Sequence, residues 1–70
     1  MIKAVIEKEF WFKHITGDFT VYEKEDGTYI CEINVNELPD QVFENKTFVT
    51  AEDAARWARG EINKLEAEYA

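Results

Sequence analysis

Glu25-Asp26-Gly27 separates two runs in which apolar and polar residues alternate, and this fixes an antiparallel hairpin at the centre of the chain. Glycine accepts the positive φ that a tight reversal needs. The first arm, Phe19 to Lys24, sets Phe19 and Val21 against Thr20, Tyr22 and Lys24. The second, Thr28 to Asn36, sets Tyr29, Cys31, Ile33 and Val35 against Ile30, Glu32, Asn34 and Asn36. Glu37-Leu38-Pro39-Asp40 ends the ladder, because proline has no N–H to donate.

The flanking segments extend this hairpin into a sheet with a helix on it. Residues Ile2 to Ile15 fit two readings. With period two, Ile2, Ala4, Ile6, Phe10 and Phe12 share a face that Lys8 interrupts; with helical period, Ile2, Val5, Ile6, Glu9, Phe10 and Lys13 make a poorer stripe. The Phe10-Trp11-Phe12 cluster and the β-branched residues favour a strand, bulged near Lys8. Thr16-Gly17-Asp18 reads as the turn that follows. A further short strand is expected within Val42 to Val49, with Asn45-Lys46 as a bend if it is not one. Thr50 followed by Asp53 predicts a helix N-cap, and Val49 is placed to staple onto Ala54. Ala54, Ala58, Ile62, Leu65 and Tyr69 form the apolar stripe, with Trp57 on its flank. Glu52 stands four residues before Arg56, the favourable ion-pair order. Gly60 weakens the helix and is expected at a close approach to the sheet.

Residues 1–70 thus read as one small acidic α+β domain, an antiparallel sheet of about four strands with one C-terminal helix packed on one face. The order is β-β-β-β-α. The other sheet face stays open, and Val5, Trp11, Ile15, Tyr22 and Ile30 are expected on it. Apolar residues on an open face point to a partner or to a homodimer joined there.

Charge narrows the function. The 70 residues hold 15 acids against 8 Lys and Arg, a net charge of −7. Residues 18–53 alone sum to −8, while 1–17 sum to +1 and 54–70 to zero. Direct binding to nucleic acid or an anionic membrane surface needs an excess of cations, so this acidic chain is a poor candidate for either. Apolar runs are too short to span a bilayer, and no signal-peptide stretch opens the chain. A single cysteine, Cys31, forms no internal disulfide, so a cytoplasmic protein is expected.

Catalytic constellations do not emerge. His14 is the sole histidine, which leaves no multi-histidine metal site. A His14–Cys31 dyad would join two separate strands with no orienting group, and Cys31 alternates with core positions, as an inert thiol does. Glu25 and Asp26 are turn residues with no cause for perturbed acidity. No glycine-rich phosphate loop or EF-hand spacing is present. The expectation is a protein with no enzymatic activity, cofactor or metal.

Two family resemblances add to this. Val21-Tyr22-Glu23, Gly27, Ile30, Ile33, Phe48, Thr50 and Trp57 resemble small acidic phage anti-CRISPR inhibitors of the β-meander-plus-helix kind. The resemblance implies a host-cytoplasmic inhibitor that covers the basic nucleic-acid channel of a CRISPR effector. Carboxylates two apart on a strand lie roughly 6.6–6.8 Å apart, so Glu23 and Glu25 would imitate a phosphate backbone. Asp26-Gly27, Tyr29, Leu38-Pro39 and Thr50-Ala51-Glu52-Asp53-Ala54 with Ala58 are similar to the N-terminal domain of HicB-type antitoxins. Here Asp40 stands where that family has glycine, and an N-terminal strand is added. The leading expectation is an acidic binding protein that inhibits a nucleic-acid-handling protein. Its contacts are Glu23, Glu25, Asp26, Glu32, Glu37 and Asp40, with Tyr22 or Trp11 as aromatic anchor. A HicB-like antitoxin is the second reading and a self-associating accessory domain the third.

Overall fold

Three antiparallel strands in the order β1-β2-β3 are followed by one long helix. They are β1 (Lys3–Trp11), β2 (Thr16–Glu23), β3 (Tyr29–Val35) and α1 (Ala51–Glu68). The structure is a computed structural model that describes residues 2–44 and 46–70.

The central hairpin forms as its sequence requires. Gly27 takes φ 84°, and Asp26 braces the reversal by accepting from the Thr28 N–H and hydroxyl at 2.9 and 2.6 Å. Val21 stands opposite Cys31 and Phe19 opposite Ile33, which puts the apolar positions of both strands on the helix side. Phe10, Phe19, Val21, Ile33 and Val35 meet Ala54, Ala55, Ala58, Ile62 and Leu65 of α1 in one core.

The first hairpin departs from the expected register in three ways. The bulge lies at Val5, between Ala4 and Ile6, and not near Lys8. From Ile6 onward the strand is regular, so Lys8 sits on the helix-facing side between Ile6 and Phe10, where the edge position lets it reach solvent. Thr16-Gly17-Asp18 is not a turn but the start of β2, and the reversal occupies residues 12–15, closed by the Phe12 N–H on the Ile15 carbonyl at 2.9 Å. Ile15 is consequently not on the open face. It is 1% exposed, at the bottom of the core.

Gly17 is in this strand for a packing reason. A Cβ there would stand 1.9 Å from the Asn34 carbonyl oxygen and 2.9 Å from Cζ of Phe10, its cross-strand partner. The Phe10 ring takes the space that a side chain would occupy.

No fourth strand appears among the described residues. Among the described residues of 42–49 only Phe48 pairs, through one isolated bridge to Tyr29 with bonds of 2.8 and 2.9 Å. The Phe48 ring packs on Trp57 with centroids 5.6 Å apart, tying this loop to the helix. Asn45 of the expected Asn45-Lys46 bend lies outside the described residues.

Thr50 caps α1 as expected, its hydroxyl accepting from the Asp53 N–H at 3.1 Å. Arg56 pairs with Glu52 at 3.5 Å and with Asp53 at 2.9 Å. Three helix details differ. Val49 is 83% exposed and staples nothing, Tyr69 is half exposed beyond the stripe, and Gly60 faces open space with no atom of the sheet near it. No helix among the described residues is long and apolar enough to cross a membrane.

Candidate partner-binding face

The corrected register decides which side chains face solvent. On the open side β1 presents Ala4, Glu7, Glu9 and Trp11; β2 presents Thr16, Asp18, Thr20 and Tyr22; β3 presents Ile30, Glu32 and Asn34. Glu7, Glu9, Asp18 and Glu32 are exposed carboxylates, and no lysine or arginine occupies any of these positions. Among the described residues the cations stand at the edge, in the turns and loops, or on α1. A shallow depression of about 500 Å3 runs over the β1–β2 pairing, rimmed by Glu7, Glu9, Asp18 and Trp11, with Lys8 also lining it from the strand edge.

Glu9 stands directly opposite Asp18. Counting outward from the hydrogen-bonded Phe12–Ile15 pair, this is a non-hydrogen-bonded position, where side chains come closest. Like charges so placed oppose sheet formation. Asn34 offsets part of that cost by donating to Asp18 at 3.2 Å. Trp11, 73% exposed, closes one end of the face, and Tyr22 and Ile30, paired across β2 and β3, lie half-buried at the other.

The eight contact residues expected from sequence fall into separate groups. Glu32, Tyr22 and Trp11 lie on the open face. Glu23 is on the helix side, opposite Lys3 and Tyr29. Glu25 has left the strand for the turn, so the Glu23/Glu25 pair does not have strand spacing, whereas Glu7 and Glu9 do. Asp26 and Glu37 have structural partners. Glu37 accepts from the Thr16 N–H and hydroxyl, both at 2.7 Å, and joins the end of β3 to the start of β2. These bonds hold both acids below their ordinary pKa: the Thr28 hydroxyl and then its N–H for Asp26, the Thr16 N–H and then its hydroxyl for Glu37. Asp40 is exposed in the loop beyond. Glu7, Glu9 and Asp18 were not among the expected contacts, and alternation counted back from Phe10 would have found the first two.

His14 and Cys31 are not a pair. The Cys31 thiol is half-buried, and burial followed by the Glu32 charge pushes its pKa up to about 11, which leaves it protonated and unreactive at neutral pH. His14 belongs to a different cluster, built around Glu66 of α1. One carboxylate oxygen accepts from the His14 and Ile15 N–H groups at 3.0 and 3.1 Å, and the other lies 2.6 Å from the His14 ring nitrogen Nδ1. Burial alone would raise the Glu66 pKa, but the bonds from the His14 side chain, the His14 backbone and the Ile15 backbone together hold it below its ordinary 4.5.

A carboxylate with a lowered folded-state pKa adds stability above its ordinary pKa, and that stability fades as pH falls through the folded value. Glu66→Gln should therefore unfold at lower urea than wild type at neutral pH, with the gap narrowing as the pH falls below the ordinary glutamate range. Chemical denaturation at several pH values checks this. A gap that persisted unchanged into acid would mean that the Glu66 charge has no part in holding the turn.

No protein family, curated protein or solved structure matches this chain.

Proposed function

We propose that this protein is a non-enzymatic binding module whose open sheet face covers a basic surface on a nucleic-acid-handling protein, and inhibits it by doing so. The carrying observation is the open face itself, with Glu7, Glu9, Asp18 and Glu32 exposed and no cation among them. The opposed Glu9–Asp18 pair weakens the free sheet, and a cation from a partner relieves that repulsion. Glu7 and Glu9 repeat at roughly 6.8 Å along β1, a spacing suited to groups that otherwise hold successive phosphates. Trp11 adds an aromatic anchor at the rim. The anti-CRISPR-like character of the sequence agrees with this chemistry. The same charge makes the face a poor match for its own copy, so we favour a basic partner over self-association.

The test uses an oligo-arginine peptide as the basic probe. Its affinity should fall at least about a hundredfold between roughly 50 and 500 mM salt. Glu9→Gln should weaken binding while raising the stability of the free protein by about 0.5 kcal/mol, because it removes one of two opposed charges. Glu68→Gln, on the helix, should leave binding within about twofold of wild type. Equal weakening by both substitutions would show that net charge, and not this face, attracts the probe.

A further inference from the structure

The outer edge of β1 carries a second feature, on the opposite side of the sheet from the acidic face. α1 lies chiefly over β2 and β3, and a cleft of about 260 Å3 remains between it and β1. Its floor is apolar, built from Phe10, Phe12, Phe19 and Ile62. Lys8, Arg59 and Asn63 stand at its rim, and Glu9 lines it from a strand position whose side chain alternates to the open face. Neither cation has an ion pair among the described residues, in a chain with nearly twice as many acids as bases. Charges of this sign beside an apolar floor select a group that is apolar with a carboxylate close by.

The backbone beside the cleft is also unpaired by any strand among the described residues. Thr16 turns its carbonyl toward β3, accepting from the Asn36 N–H at 2.8 Å, so its partner Trp11 directs its own backbone groups outward. Alternation places the N–H and C=O of Glu7 and Glu9 on the same outer edge, which no strand covers among the described residues. The bulge at Val5 interrupts the edge at one end, and from Ile6 to Trp11 it is regular.

We propose that β1 accepts an extended segment of a partner protein as an added strand. The segment's apolar side chains enter the β1–α1 cleft, and a carboxylate between them meets Lys8 and Arg59. In strand addition the backbone bonds give affinity, and the pockets for alternate side chains give specificity. A second copy of this chain does not fit that description. The three central antiparallel registers of β1 on itself set Glu7 against Glu7, Glu9 against Glu9, or Lys8 against Lys8 with Glu7 against Glu9. An acidic-apolar segment also differs from the basic partner of the open face, so this inference stands or falls independently of that reading.

The probe is a short peptide, acetylated Thr-Val-Thr-Glu-Thr-Val-Thr amide, titrated into the isotope-labelled full chain beside the same peptide with lysine at its centre. Saturable shifts are expected at the Glu7, Glu9 and Trp11 amides, with the glutamate peptide bound at least about tenfold more tightly. Lys8→Glu combined with Arg59→Glu should reverse the preference. Both positions are exposed, and the circular dichroism spectrum shows whether the variant keeps its fold; if it does not, Arg59→Gln alone should narrow the preference. Absent saturable shifts, equal binding of the two peptides, or shifts confined to β3 would each overturn the proposal.

Discussion

Replacing Gly17 by alanine should destabilise the protein by about 3 kcal/mol, although the change adds one methyl group in the middle of an exposed-looking Thr-Gly-Asp sequence. The added carbon would overlap the Asn34 carbonyl oxygen at 1.9 Å and crowd the Phe10 ring at 2.9 Å. An aromatic ring tip can swing away at modest cost, but a carbonyl in the adjoining strand moves only if the β2–β3 ladder moves with it. A domain of this size has roughly 4–10 kcal/mol of stability in total, so the loss removes a large part of it. Thermal unfolding should show a fall in Tm of more than about 10 °C. A variant within a degree or two of wild type would mean that the strand does not begin at Thr16. Truncating Phe10 to leucine alongside should recover part of the loss from the ring contact and none from the carbonyl.

Ile15→Ala should cost about 3 kcal/mol, while Trp11→Ala, a much larger truncation four residues earlier, should cost no more than about 0.5 kcal/mol. The contrast follows from burial: Ile15 is 1% exposed and Trp11 73%. If both residues faced solvent on the open sheet, as alternation through residues 2–15 suggests, the two substitutions would be similarly mild. Urea denaturation of the pair therefore tests the register of the whole first hairpin. Comparable effects at the two positions would overturn the placement of the turn at residues 12–15. The same pair bears on function, because Trp11→Ala should weaken binding of a basic partner without changing the fold.

What could be read from the sequence was what its neighbours in the chain determine. The Asp26-Gly27 reversal, the alternation on either side, the Thr50 cap and the stripe from Ala54 to Leu65 depend on residues a few positions apart. The first hairpin depends on distant ones. Its turn contains no glycine, proline or asparagine, and the His14 and Ile15 N–H groups are satisfied by Glu66, more than fifty positions along the chain. Gly17 has the composition of a turn but is required by the close approach of Asn34 and Phe10. Lys8 looked like the fault in the alternation, when the extra residue is Val5. Each of these shifts moves side chains between faces. That is why the acidic block between residues 18 and 53 points to Glu32 on the open face but leaves out Glu7 and Glu9, which precede it, and does not single out Asp18, its first member.

The Glu66 carboxylate has a consequence for the order of assembly. Both hairpins and the helix close short loops, which are fast events with little entropy to overcome. The clamp joins residues whose separation in sequence is 52, so it can form only once α1 has docked. Until then the first reversal has two backbone donors with no partner but water, and it competes with other ways of turning between Trp11 and Thr16. Docking of the last helical turn therefore selects the register in which Glu9 faces Asp18. Whatever loosens the end of α1 also loosens the alignment of the acidic face, from the far side of the molecule.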